Sequence, residues 1–269
     1  MGAVVSVQTG AALAKSLFAQ LGPTGATALR LSFAAVVLLV VIRPRIPDRG
    51  RLLVVGYGLA LGCMNLSFYL ALSRIPLGVA VTVEFLGPLA VALGGSRRPR
   101  DFGVAVLAAA GILLLARGGA GHVDLAGVGL AAVAGACWAA YILLSSAVGK
   151  QLAGATPLAL AMVVAAAVTV PFGAVEALHA SPLLLLAGAA VGLLSSVIPY
   201  SLELQALRSL TPRVFGVLLS LEPAAAALAG LLFLNETLAG RQWLGIACVV
   251  VASVAATLSA RQSPVPATP

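Results

Sequence analysis

The chain has 269 residues, 61% of them hydrophobic and only 9% charged, with a formal net charge of +8. Soluble domains carry about 25% charged residues, so this chain cannot cover a soluble core and reads as a polytopic, all-α membrane protein. Its basic residues fall in short gaps between apolar runs rather than on one amphipathic face, which argues against nucleic acid as a partner.

A spanning helix needs about 20 apolar residues. Cutting the chain at clusters of charge, proline and glycine predicts ten transmembrane helices: 3–20, 22–42, 52–72, 75–95, 101–117, 124–146, 156–178, 182–205, 213–234 and 241–260. Apolar segments that recur to residue 260 are not a signal peptide. If the N-terminus is cytoplasmic, the inner loops hold Arg43, Arg45, Arg49, Arg51, Arg97, Arg98, Arg100, Lys150, Arg208, Arg213 and Arg261, and the outer loops only Arg74, Arg117 and Arg241. That bias predicts both termini cytoplasmic.

Span one carries Lys15 and span two Arg30, the two cations inside apolar segments. Span three brings Asn65, Tyr69 and "GYGLALG", small residues suited to close helix packing. Span four places Glu84 at its middle and Pro88 four residues later, and closes on the cytoplasmic anchor "SRRPRD". Pro88 removes a backbone donor and clashes with the carbonyl of Glu84, so a kink beside a carboxylate is expected. Span eight offers Ser195, Ser196, Tyr200, Ser201 and Glu203, the last near its cytoplasmic end and read as structural. Span nine places Glu222 at its centre, directly before Pro223.

An ionised group at mid-membrane costs about 2.5–3.5 kcal/mol on insertion scales, so Glu84 and Glu222 must face the interior, pair with a cation or line an aqueous path. Helix rise puts Glu84 roughly 13 Å below the outer edge, level with Arg30 and a little deeper than Lys15. Glu84 with either cation reads equally as a helix-clamping ion pair or as a site for the ammonium and carboxylate of a zwitterion, or for a proton. Glu222 is either a protonated acid or the partner of a cation from the first half of the chain. Cys63, Cys137 and Cys248 lie inside apolar segments and read as small core residues, implying neither disulfide nor metal. No HExxH, GxSxG, P-loop or CxxC pattern occurs, so no cofactor is expected, an ATP-driven pump is excluded and an intramembrane hydrolase disfavoured.

Residues 71–93, "ALSRIPLGVAVTVEFLGPLAVAL", match residues 206–228, "ALRSLTPRVFGVLLSLEPAAAAL", at eight of 23 positions, Pro88 with Pro223 among them. The next segments also align, from Gly103 and from Gly245. A repeat of five helices is odd, so the halves 1–118 and 124–260 insert in opposite directions, the pattern of secondary transporters that bind substrate near the midplane. Residues 261–269 are expected to be a disordered tail.

The stretches "SVQTGAALAKSLF", "GATALRLSF", "MNLSFYLAL", "VEFLGPLAVALGGSRRPRDF", "GACWAAYIL", "IPYSLELQALRSL" and "FGVLLSLEPAAAALAGLLFLNETL" resemble the drug/metabolite transporter superfamily with two EamA-type halves. Within it they are similar to the threonine/homoserine exporters of bacterial inner membranes. The resemblance implies export of small amino acids driven by protons. The expected site then has Glu84 and Glu222 binding proton or ammonium, Arg30 and Lys15 holding a carboxylate or balancing charge, and Asn65, Tyr69 and Tyr200 lining a cavity in the bilayer. The chain departs from the family at its start, where span one is short and lacks a basic flank, so either translation begins upstream of Met1 or this helix is unusually short. Multidrug efflux by the same fold predicts an aromatic-rich cavity, against which the 5% aromatic content argues. A membrane scaffold or sensor without transport predicts that Glu84 and Glu222 are replaceable while loop arginines are not.

Overall fold

A computed structural model of the chain describes residues 2–47, 49–94, 99–116, 124–152, 154–199, 202 and 217–259. Tyr200, Ser201, Glu203, the loop arginines Arg97, Arg98, Arg117, Arg208, Arg213 and Arg261, and the tail lie outside the described residues. All regular structure among those described is helical. The helices are α1 (Gly2–Ser16), α2 (Phe18–Ile42), α3 (Arg51–Leu72), α4 (Leu77–Glu84), α5 (Leu86–Leu93) and α6 (Pro99–Ala116). They continue as α7 (Leu125–Gly149), α8 (Thr156–Leu178), α9 (Pro182–Gly192, extended by a π-helical turn Leu193–Val197), α10 (Glu222–Leu234) and α11 (Gly240–Ser259). Helices pair every backbone group within the segment, which an apolar solvent requires.

Six helical stretches among the described residues are long and apolar enough to cross a membrane: Phe18–Ile42, Arg51–Leu72, Leu125–Gly149, Thr156–Leu178, Val217–Leu234 and Gly240–Leu258. Shorter apolar helices fill Leu77–Leu93, Phe102–Leu115 and Pro182–Val197. The surface is inverted relative to a soluble protein. Leu178 is 83% and Phe102 74% exposed, while Gln8, Arg30, Asn65, Glu84 and Glu222 are buried. Lipid rewards apolar side chains on the outside, and association between helices then rests on close packing and polar contacts.

Several predicted spans are not continuous rods. The first helix ends at Ser16, four residues before the expected boundary, and the chain turns at Gly22 (φ 62°, ψ 169°), a backbone region open essentially to glycine alone. Pro23 follows and starts the next rise with its fixed φ. The expected span 75–95 breaks at Phe85, between α4 and α5, three residues before Pro88. The segment running into α10 breaks at Ser220–Leu221, just before Pro223. In the expected span 182–205, α9 widens into the π turn, where Ser195 Oγ donates back to Val191 O at 2.6 Å and Pro199 supplies no amide to the carbonyl four residues earlier.

The tightest packing joins α2 to α8, α3 to α7 and α8, α6 to α11, and α4 to α10, with α1 against α10 and the π turn, α9 against α2, and α5 against α7. Small residues allow these approaches. A Cβ on Gly111 would lie 2.7 Å from Gly245 O, and one on Gly245 would lie 2.7 Å from Gly111 O.

Asp124 caps α7, Oδ1 accepting from Ala126 N at 2.8 Å and Oδ2 from Arg74 Nη1 at 2.9 Å. The Arg74 hydrogen bond, helped by the Ala126 and Gly127 amides, holds the Asp124 carboxyl below its usual range. A depressed folded-state value means the stabilisation is complete above the unfolded value of about 3.9 and is lost as pH falls through the lower folded one. Asp124→Ala should therefore lower the melting temperature in detergent at pH 7, with the gap to wild type closing below about pH 4. Asp124→Asn, which still caps, should lose less. A gap that stays constant down to the lowest pH tolerated would contradict this account.

Candidate functional site

Both buried carboxylates and the buried arginine line one cavity of about 290 Å³, with other buried polar residues. Helix α1 contributes Gln8, α2 Arg30, α3 Asn65 and Tyr69, α4 Glu84, and α10 Glu222, while the π turn presents Ser195 and Ser196. Phe68, Trp138 and Tyr141 give the same cavity an aromatic stretch of wall. Breaks and cavity coincide for a physical reason. A broken or widened turn frees backbone groups that only protein or a wet cavity can satisfy at membrane depth.

Arg30 is held in a defined pose. Its Nη2 donates to Asn65 Oδ1, and Asn65 Nδ2 donates in turn to Leu61 O at 2.8 Å, which fixes the amide orientation. The guanidinium lies over the Tyr69 ring, 4.9 Å from its centroid, a contact that strengthens away from water. Tyr69 is only 1% exposed. Its Oη faces Arg30 and Ser195 yet completes a hydrogen bond of good geometry with neither. Gln8 Oε1 and Arg30 Nε are likewise buried and unpartnered.

Glu84 and Glu222 come from α4 and α10, which pack antiparallel. A Cβ on Gly78 would meet Ala227 at 2.7 Å, and one on Gly230 would meet Leu77 at 3.5 Å. Continuing that register brings Glu84, the last residue of α4, level with Glu222, the first of α10, and both line the cavity with Arg30. No ion pair within 4 Å joins Arg30 to Glu84 among the described residues. The Glu84 carbonyl, which Pro88 leaves without its usual helical donor, is met from across the interface by Gly135 of α7. Arg30, Asn65, Tyr69, Glu84, Pro88 and Glu222 thus share one cavity, whereas Pro223 is buried beside it at the break.

Lys15 is elsewhere. Its Nζ lies 2.6 Å from Glu236 Oε1 and donates to Ile75 O at 2.9 Å. Glu236 Oε2 accepts from Leu77 N at 2.7 Å. The expectation that Lys15 could pair with Glu84 is corrected: α1 stops at Ser16, so Lys15 sits in its last turn, at the edge of the bundle. Asn235 in the left-handed region (φ 54°) lets the chain fold back, Glu236 N bonding Gly230 O at 3.0 Å, and this return brings the carboxylate to Lys15. Lys15→Met should cost roughly 1–3 kcal/mol by stranding Glu236, and Lys15→Met with Glu236→Gln should cost less than either change alone. Additive losses in a double-mutant cycle of thermal unfolding would refute the pairing.

Residues 125–258 match the family described as EamA-like transporter family. Over 271 residues the chain is 48% identical to the threonine/homoserine exporter RhtA of Salmonella typhimurium (strain LT2), covering 97% of this chain and 91% of the relative. It is 46% identical over 269 residues to the protein of the same name from Escherichia coli (strain K12), covering 97% and 90%. The chain belongs to the EamA-like transporter family. A crystal structure of a protein 22% identical superposes with a TM-score of 0.65 over 96% of both chains, showing a shared fold.

A transporter of the EamA-like family needs a polar path through an apolar bundle, and this cavity supplies polar groups from both ends of the sequence. Sequence reasoning missed Gln8, Trp138, Tyr141 and the partner role of Glu236. Gln8 carried a signal, as the one amide side chain in a helix of mostly apolar and small residues. The aromatic wall carried none, since a whole-chain aromatic content says nothing of where the rings gather. Tyr200 lies outside the described residues.

Proposed function

We propose that this chain is a secondary exporter of small zwitterionic amino acids, threonine and homoserine among them, exchanging them for protons in a bacterial inner membrane. The reading has ten spans in two inverted five-helix halves, residues 1–118 and 124–260, with both termini cytoplasmic. The observation that carries it is the cavity itself. An arginine and two carboxylates of opposite charge, drawn from α2, α4 and α10, line one small space inside a membrane bundle. A zwitterion offers its carboxylate to Arg30 and its ammonium to Glu84 or Glu222, and two facing carboxylates can hold one proton between them. The relatives named threonine/homoserine exporter, alike over 97% of the chain, support the substrate class. Packing supports the inverted halves. Exchanging the halves turns α3 against α8 into α9 against α2 and α5 against α7 into α10 against α1, while α2–α8, α4–α10 and α6–α11 map onto themselves. A neutral substrate exchanged for one proton gains about 3.5 kcal/mol at 150 mV, enough for a gradient of a few hundredfold.

Labelled threonine uptake into inside-out vesicles, with and without an imposed proton gradient, tests the reading. Gradient-stimulated uptake is expected, and its absence with correctly inserted protein removes threonine as substrate. The aromatic wall of Phe68, Trp138 and Tyr141 favours a second reading, efflux of planar cationic compounds. In the same vesicles, ethidium transport that threonine does not compete would select it.

A further inference from the structure

We infer that Gln8 and Tyr69 form a specificity subsite that reads a hydrogen-bonding group on the side chain of the transported amino acid; the inference rests on the amino-acid reading above. Three buried polar atoms on residues that line the cavity complete no hydrogen bond: Gln8 Oε1, Tyr69 Oη and Arg30 Nε. Buried polar atoms are nearly always satisfied, and one left bare is destabilising. Three of them on one cavity mark where a ligand, or the water it displaces, completes the bonding.

Their chemistry divides the labour. Arg30 Nε can only donate, and with Nη2 committed to Asn65 and the plane stacked on Tyr69 it offers a fixed donor to a carboxylate. Gln8 Oε1 can only accept. Tyr69 Oη can do both. A hydroxyl donates one hydrogen bond and accepts others, so it can bridge Gln8 Oε1 and Tyr69 Oη, whereas a methyl or methylene leaves both bare.

The surrounding packing holds these groups in place. Gly10, two residues after Gln8, backs onto Ser195, where an added Cβ would lie 2.9 Å from Ser195 Cβ. Ser6 Oγ, two residues before Gln8, donates to Leu194 O at 2.6 Å. Helix α1 is thereby pinned to the π turn on both sides of Gln8, and Tyr69 Oη faces the same Ser195. The Phe18 ring, 5.7 Å from that of Tyr69 and tilted 49° to it, packs against the phenol. Sites built to hydrogen-bond a hydroxyl reject analogues without one far more strongly than an apolar pocket rejects an extra group, so the pair should favour threonine over its isostere valine.

Trp138 lines the cavity, and the chain has two tryptophans, so Trp243→Phe leaves a single reporter at the site. Fluorescence titration of that purified protein with threonine, homoserine and valine should show threonine and homoserine binding tighter than valine. Adding Gln8→Met, similar in length and without the amide, should cut the threonine-to-valine preference roughly tenfold while changing valine affinity little. Tyr69→Phe should act in the same direction and keeps the inference testable if Gln8→Met does not fold. A threonine-to-valine ratio unchanged in both variants would overturn the subsite while leaving amino-acid transport standing. Equal weakening of both ligands would assign Gln8 a structural part only and would also overturn it. Failure of the single-tryptophan protein to bind any of the three amino acids would overturn the substrate reading and the subsite together.

Discussion

Glu222→Gln is expected to abolish gradient-driven accumulation of threonine in inside-out vesicles, lowering the initial rate at least about a hundredfold, while leaving threonine-for-threonine exchange measurable. The amide keeps the size and hydrogen-bonding reach of the carboxylate but cannot take up and release a proton. Coupling and substrate passage should therefore separate. Glu84→Gln should impair accumulation too, because both carboxylates line the one cavity, at the adjoining ends of the packed pair α4 and α10. Their effects should be strongly non-additive, since groups that hold one proton act as a unit. If each single variant accumulated threonine like wild type under the same gradient, the proton would have to travel by another route.

The second large effect is structural. Gly135→Val should prevent assembly of the bundle, seen as loss of monodisperse protein on size exclusion in mild detergent, with a stability cost above the usual 1–3 kcal/mol of overpacking. A Cβ at this position would stand 2.7 Å from the carbonyl oxygen of Glu84, and a Cβ on Gly87 would run into the carbonyl of Gly135 itself. Both obstacles are backbone, so no rotamer change relieves them. The contact also serves the site, because it holds the break between α4 and α5 that aims Glu84 at the cavity. Gly129, on the same helix with open space around its Cα, is the control: Gly129→Val should assemble normally. Normal assembly of Gly135→Val would show that the interface yields more than backbone packing allows.

Much of this was legible in the chain. Glu84, Glu222, Arg30, Asn65 and Tyr69 stood out because a polar group in an apolar run must go inside, whatever the details of packing. Pro88 and Pro223 announced breaks in their segments because proline denies the helix a donor, and the breaks occur within three residues of each. Lys15 misled. A helix continuing to residue 20 would carry it into the bilayer towards Glu84, whereas the stop at Ser16 leaves it in the last turn of α1, paired with Glu236. The π turn at Leu193–Val197 and the aromatic wall had no readable period, because each arises from contacts between segments far apart in the sequence.

Composition and the placement of charge by themselves determined that this protein is a helical membrane protein with carboxylates and an arginine in its interior, since the transfer cost of charge and of unpaired backbone depends only on the solvent. Which charges meet was decided by tertiary structure alone. Pairing depends on where each helix stops, on the left-handed turn at Asn235, and on glycines that let backbones touch, and a shift of one helical turn exchanges one partner for another.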